Sequence, residues 1–471
     1  MGNRKDNSMG RKNNQGIVSE LAGRGEIFSY GLGGFGRGLL NSIVMGLLNY
    51  FYTNSIGMSA GVIGVVFMVS RIFDGFSDII AGTIVDKTKS RFGKTRLWIL
   101  LSAIPFALTT FLLFTVPHIS TTGKIIYIFI TYNLVTTVFG TLFYVPHMTL
   151  TSLITRDKVQ RTQVSLVNQI FTTIAGVLPS FIIVPLVNKN GNSQSSWVWT
   201  MLVTVVISAI CMMICFINTK ERVVLSQSSK NEDEKKLSFK LVVSTLFQNK
   251  YWFLVLGIFI TDALSNNFYV ASGMYYTQYI LGNLNYAGII GLVSIVPTML
   301  ALLLVAPFVK NISKSKIFLI GAIIKAFGYL LLIALPSGLS SVLLARAISS
   351  FGMGLTFSVM YSFIPDTIEY GHWKTGVRLE GIIQSADSFG AKLGVGLAPG
   401  VVGLVLAAAG FDGMAKVQTA AAMSAIKICA GWAPLIFSML MIVIICFYDL
   451  DKRYPQIMKE LEERKLQANN E

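Results

Sequence analysis

Long apolar runs alternate with short polar breaks along almost the whole chain. A helix needs about 20 apolar residues to cross a bilayer. Runs of that kind recur about twelve times: near 28–52, 59–85, 97–117, 124–146, 163–187, 197–218, 249–280, 285–308, 316–335, 339–364, 380–410 and 426–449. The longest internal polar stretch, from Thr219 to about Asn249, follows the sixth run. The expected division is a tail at 1–26, a first six-helix bundle at 27–218, a loop at 219–248, a second bundle at 249–449 and a tail at 450–471. The fold class is therefore all-α and integral to the membrane: twelve transmembrane helices in two six-helix bundles.

Charge orients these helices. The even-numbered hairpins hold Lys87, Lys89, Arg91, Lys94 and Arg96, then Arg156, Lys158 and Arg161, then the cations between Lys220 and Lys240, then Lys310, Lys314 and Lys316, then Lys374 and Arg378. Thr53 to Met58 and Gly282 to Asn285, in odd-numbered hairpins, have no cation. Cytoplasmic loops carry the excess of Lys and Arg, so both termini are expected in the cytoplasm of a cell-membrane protein.

Composition agrees. The chain has 471 residues, is 53% hydrophobic and 13% charged, and has a mean hydropathy of +0.62. A soluble domain is about a quarter charged. The net charge of +16 lies in the short loops, so it reads as membrane orientation and not as nucleic-acid binding. Cys211, Cys215, Cys429 and Cys446 fall inside apolar runs without a CxxC or His/Cys cluster, as small core residues do. No cleavable leader is expected before the first apolar run. No catalytic elbow, zinc helix or phosphate loop is present, so no enzyme is expected and no cofactor beyond a coupling Na⁺ or H⁺.

Candidate chemistry centres on residues 70–96. Asp74 and Asp78 are four apart, so a helix stacks them on one face, and Arg71 lies one turn earlier. A charge at the bilayer centre costs roughly 2.5–3.5 kcal/mol, so such groups face a polar interior. Two close carboxylates repel unless one is protonated or a cation sits between them. The pattern fits a Na⁺ or H⁺ site, and it equally fits an internal ion pair with Arg71. Lys392, deep in the eleventh run, faces a choice between pairing with Asp387 and lining a polar cavity; the cavity is favoured. Arg37 and Asn41 can line it from the first run, although Arg37 can also snorkel to the inner face. His147, beside Pro146, can carry a proton or simply be packed and hydrogen-bonded. Asn266, Asn267, Tyr269, Tyr275 and Tyr276 mix amides with aromatic rings, as sugar sites do and as interfacial belts also do. Gly31-Leu-Gly-Gly-Phe-Gly36 spells a dinucleotide fingerprint, but no strand precedes it; close helix packing is the better reading.

Four stretches carry a resemblance: Tyr30-Gly-Leu-Gly-Gly-Phe-Gly, residues 70–96, Tyr144-Val-Pro-His-Met-Thr-Leu, and Pro365-Asp-Thr-Ile-Glu-Tyr-Gly-His-Trp-Lys-Thr-Gly-Val-Arg-Leu-Glu-Gly-Ile-Ile. Over roughly 27–450 the chain resembles the glycoside–pentoside–hexuronide:cation symporters, the melibiose permease family of the major facilitator fold. The resemblance implies a cation site at Asp74, Ser77, Asp78 and Thr141, and a substrate site at Arg37, Asn41, Tyr144, Gln169, Phe357, Asp387, Ser388 and Lys392. Gating charges are expected at Arg71, Asp86, Arg91, Lys94, Asp366, Glu369 and Arg378, the basic loops at 86–96 and 366–378 pairing with the acidic residues when one face is closed. Two carboxylate positions of the melibiose type are Gly38 and Tyr144 here, the helix-four aromatic is Met148, the helix-five arginine is Gln169 and the helix-ten tryptophan is Phe357. With those carboxylates gone, an anionic uronide fits the expected cavity as well as a neutral glycoside. The implied activity is sugar–cation symport by a monomer with a small sugar and the bilayer as its partners. A lysolipid carrier of the same fold and a sugar sensor without turnover are the alternatives.

Overall fold

In the computed structural model the described residues are 21–470, apart from 89, 156, 223–244, 309–311, 377–379 and 416. Every regular element among them is helical. Twelve rods follow one another. Rod α1 is Arg24–Gly46 continued by Leu48–Asn54. After it come α2 (Ala60–Lys87) and α3 (Arg96–Leu112), α4 (Thr121–Ile154), and α5, which is Lys158–Leu178 prolonged to Lys189. The first half closes with α6 (Gln194–Asn218). The second half holds α7 (Lys250–Ile280), α8 (Tyr286–Phe308), α9 (Lys314–Ala334), α10 (Leu339–Thr375), α11 (Glu380–Ala408) and α12 (Ala420–Cys446). A polar helix, α13 (Leu450–Asn470), ends the chain. Among the described residues eight rods are long and apolar enough to cross a membrane outright, and α2, α3 and α11 contain shorter apolar helices.

Side-chain oxygens start several rods. Ser120, Asp157, Ser193, Asn249 and Thr419 each accept from a backbone N–H of the first turn, satisfying donors that a helix start leaves open. Glu221 does this from a distance: its carboxylate accepts the backbone N–H groups of Lys94, Thr95 and Arg96 at 3.0, 2.8 and 3.0 Å. An anion at a helix N-terminus is electrostatically favourable, and here it fastens the basic 86–96 loop to the chain beyond α6.

Several boundaries differ from the sequence expectation; α10, for example, runs to Thr375, eleven residues past the predicted end at 364. Rod α4 runs to Ile154, two turns past the predicted end at 146. Its last turns are polar, but Thr149 and Ser152 return their hydroxyls to backbone carbonyls, and the Tyr30 hydroxyl meets Thr151 and the His147 carbonyl. Rod α12 begins six residues early, at Ala420, where Thr419 caps it.

The glycine run of α1 is a packing device. A Cβ on Gly36 would lie 2.6 Å from the Ser208 carbonyl oxygen of α6, and one on Gly34 would collide with Asn168 of α5. His147 is buried in the same region, stacked on Tyr30 at 4.3 Å with its Nε2 3.2 Å from the Tyr30 carbonyl oxygen. It is a packed, hydrogen-bonded core histidine.

The halves meet through a seam of small residues between α2 and α11. A Cβ on Gly64 would lie 2.6 Å from the Gly400 carbonyl oxygen, and one on Gly403 would lie 2.3 Å from that of Ala60. Farther toward the odd-numbered hairpins, Thr53 and the Tyr275 hydroxyl are 2.9 Å apart, Asn54 donates to the Tyr279 hydroxyl at 2.5 Å, and Asn188 donates to Asn285 at 3.3 Å. These contacts close the side opposite the basic hairpins. On the basic side the described ion pairs stay within one half: Arg222 with Glu26 at 2.7 Å, and Lys314 with Asp366 at 2.7 Å.

Candidate functional site

Where the seam ends, at the middle of α2, the residues turn polar. Asp74 is 6% exposed. One carboxylate oxygen receives Nη1 of Arg71 at 2.5 Å. The other accepts the hydroxyl of Thr137 and, at 3.4 Å, that of Thr136. Arg71 also donates Nη2 to the Tyr132 hydroxyl at 2.8 Å. Lys392 crosses from α11 and donates Nζ to the Asp74 backbone carbonyl at 3.1 Å. One residue of α2 is thus joined to α4 and to the opposite half. A buried carboxylate needs paired and hydrogen-bonded company, and Asp74 has both.

Local geometry of α4 delivers the threonines. Leu134–Gly140 is a π-helical stretch, a form common at functional sites. The Thr141 hydroxyl donates to the Thr136 carbonyl, five residues back, at 3.2 Å. The extra residue in the turn sets Thr136 and Thr137 against Asp74. Gly140 permits the crowding, since a Cβ there would lie 2.4 Å from the Val135 carbonyl oxygen.

The expected cation set is partly assembled. Ser77 lies on Thr141, hydroxyl to hydroxyl at 3.3 Å, and donates to the Asp74 carbonyl at 3.0 Å. Thr141 itself is one step removed from the Asp74 carboxylate, whose hydroxyl donors are Thr136 and Thr137. The side chain of Asp78 lies outside the described residues. Arg71, grouped above with the gating charges, sits instead in mid-helix on Asp74, as the ion-pair alternative expects.

Of the substrate residues, Arg37, Asn41, Tyr144 and Lys392 line a cavity of about 160 Å³ together with Arg71, Asp74 and Thr141. The Arg37 guanidinium lies 3.9 Å over the Tyr144 ring. Gln169 and Phe357 line a second, larger cavity of about 510 Å³ between α1 and α5 on one side and α7, α8 and α10 on the other. Met45 borders both. The side chains of Asp387 and Ser388 lie outside the described residues. The span-seven cluster divides: Asn266 and Tyr269 line the large cavity, whereas Tyr275 helps close the seam and Asn267 donates to its own helix.

The expected gating charges are dispersed. Asp366 is buried on Lys314. The Lys94 backbone is held by Glu221. Arg91 is exposed beside Phe92. Glu369 lies half-buried in α10. The side chains of Asp86 and Arg378 lie outside the described residues.

Other polar groups escaped the sequence reading. Thr136, Thr137 and Tyr132 belong to the Asp74 cluster. Lys325 of α9, 1% exposed, pairs with Asp262 of α7 at 2.7 Å. Arg346 of α10 is buried at the large cavity. The last three are charges within apolar runs, the same signal that singled out Asp74.

With this geometry in place, similarity to known proteins adds the family. The model of the family described as MFS/sugar transport protein matches residues 29–452. An isoprimeverose transporter of Lactiplantibacillus pentosus is 31% identical over 450 residues, covering 94% of this chain and 92% of its own. A glucuronide carrier protein homolog of Escherichia coli (strain K12) is 30% identical over 448 residues, covering 93% and 95%. Among solved structures, a D-xylose–proton symporter superposes with a TM-score of 0.63 at 15% identity, covering 90% of this chain and 97% of that one. An inward-facing bacterial homolog of the human lysosomal transporter Spinster gives 0.64 at 14%, covering 91% and 96%. These two likenesses establish the fold.

Proposed function

This chain belongs to the MFS/sugar transport protein family, and on that premise we propose that it is a secondary transporter coupling inward movement of a glycoside or uronide to Na⁺ or H⁺. The observation that carries the reading is the environment of Asp74. It is a buried carboxylate at the meeting point of the halves, beside threonine hydroxyls, with the Arg71 guanidinium as a counter-charge.

A cation arriving at Asp74 competes with Arg71 for the same oxygen. The hydroxyls of Thr136 and Thr137 and the pair Ser77–Thr141 supply oxygen ligands nearby, and oxygen suits a hard cation. Displaced from the carboxylate, Arg71 retains Tyr132. Because Lys392 grips the Asp74 carbonyl from α11, a change at Asp74 is felt by both halves, as alternating access about a midplane site demands. The sugar occupies the two cavities that Met45 separates. Relatives named for isoprimeverose and for glucuronide support the substrate class. With the basic hairpins taken as cytoplasmic, both termini lie inside, the seam closes the outer face and the cavities open inward.

The test is uptake into proteoliposomes of labelled neutral glycosides and glucuronides under an imposed Na⁺ or pH gradient. Accumulation above equilibrium under one gradient, abolished by an ionophore, is the expected result. Equilibration of sugar with neither gradient driving it overturns coupling, and no uptake of any sugar overturns the substrate class.

A further inference from the structure

Arg346 is a buried cation without an anionic partner among the described residues. It is 8% exposed and lines the large cavity. Its guanidinium lies 3.8 Å over the Tyr269 ring, and one Nη donates to the Ser294 hydroxyl at 3.0 Å. Its Nε has no hydrogen-bond partner, and no described carboxylate forms an ion pair with it. The other buried cations behave differently: Arg71 has Asp74 and Lys325 has Asp262. An unpaired buried charge is expensive, and guanidinium is the residue head best shaped for bidentate capture of a carboxylate or similar oxyanion. The two cations that sequence alone would assign to an anionic substrate are already engaged, Arg37 on Tyr144 and Lys392 on the Asp74 carbonyl.

We propose that Arg346 is the specificity residue that receives the anionic group of the substrate, making an anionic sugar derivative the preferred cargo. Nη1, which makes no hydrogen bond among the described residues and is not enclosed as Nε is, donates to the oxyanion of the substrate, while Tyr269 covers one face of the guanidinium. Phe357 lies eleven residues farther along α10, about 16 Å down the helix axis, and borders the same cavity with Gln169 and Asn266. A substrate anchored by its anion at Arg346 can therefore lay its aglycone or second ring toward Phe357. The cavity of about 510 Å³ is of ordinary size for a small-molecule site. This inference rests on the sugar-transport reading and sharpens it.

The probes are p-nitrophenyl β-D-glucuronide, its neutral methyl ester and p-nitrophenyl β-D-glucoside, tested on the full-length protein. Wild type is expected to take up the glucuronide in preference to its methyl ester. In Arg346→Gln the glucuronide-to-glucoside uptake ratio falls roughly thirty-fold, the scale of a lost hydrogen-bonded charge contact; Arg346→Lys recovers part of it. Thermal stabilisation of purified protein by the glucuronide, present in wild type and lost in Arg346→Gln, reads the contact without transport. An unchanged ratio in Arg346→Gln makes the residue a brace between α7, α8 and α10 and overturns the proposal. Neutral uptake by wild type without preference for the anion overturns it while leaving sugar symport intact. No uptake of any probe removes both.

Discussion

Asp74 has one strong cationic partner, two hydroxyl donors and a lysine on its own carbonyl, and each can be removed separately. Asp74→Cys is expected to abolish gradient-driven uptake while the protein still inserts; full uptake by that variant contradicts the role given to the carboxylate. Thr137→Val removes a hydroxyl from a charged acceptor, worth about 1.5–3 kcal/mol. The cation concentration for half-maximal uptake should then rise about ten-fold or more, with Thr137→Ser close to wild type. The spacing of Asp74, Ser77 and Asp78 was legible because charges stand out in an apolar run. Thr136 and Thr137 were not, since a threonine in a membrane helix usually returns its hydroxyl to the backbone, as Thr131 does here. The π turn sets Thr137 on the carboxylate, while Thr136 still donates to the Tyr132 carbonyl at 3.1 Å and reaches Asp74 only at 3.4 Å. Lys325 and Arg346 were visible as charges, but neither has an acidic residue three or four positions away on its own helix, so no pairing rule drew them out.

Helix by helix, the polar interior is organised by departures from regular geometry and by pairs across neighbouring rods. Lys325 and Asp262 join α9 to α7 inside the second half. Removing one member of a buried pair costs about 3–5 kcal/mol, more than removing both. Lys325→Met should therefore lower the detergent unfolding temperature markedly, and Lys325→Met with Asp262→Leu should restore most of it. Equal losses in single and double variants would contradict the pairing. The apolar runs foretold nearly every rod, because burial in lipid demands continuous helix. Rod ends were less legible. The end of α4 is held by hydroxyls returned to the backbone and by contacts with Tyr30, which apolarity does not register.

At the scale of the whole molecule the described contacts between the two halves include the glycine seam, the Tyr275–Thr53 and Asn188–Asn285 bonds toward the odd-numbered hairpins and, at mid-helix, Lys392 on the Asp74 carbonyl. Gly403→Val sets a side chain against the Ala60 carbonyl oxygen, where backbone cannot swing aside. It should open this face. Spin labels at Asn188→Cys and Asn285→Cys, with the four native cysteines replaced, should then move apart, and uptake should fall more than ten-fold. An unchanged distance would separate the seam from closure. A division into halves could be expected from the polar stretch after Asn218. Which face is closed could not, because a carrier's sequence encodes both states and the seam is made of residues that look merely small.

The most direct test of coupling runs the cycle backward in its energetics. Proteoliposomes are prepared with equal cation concentrations inside and out, and a downhill gradient of transported sugar is added. Wild-type protein is predicted to drive Na⁺ or H⁺ inward with the sugar, followed by tracer sodium or an internal pH dye, and Asp74→Cys is predicted to drive none. Sugar entering wild-type vesicles to equilibrium with no movement of either cation would contradict the account.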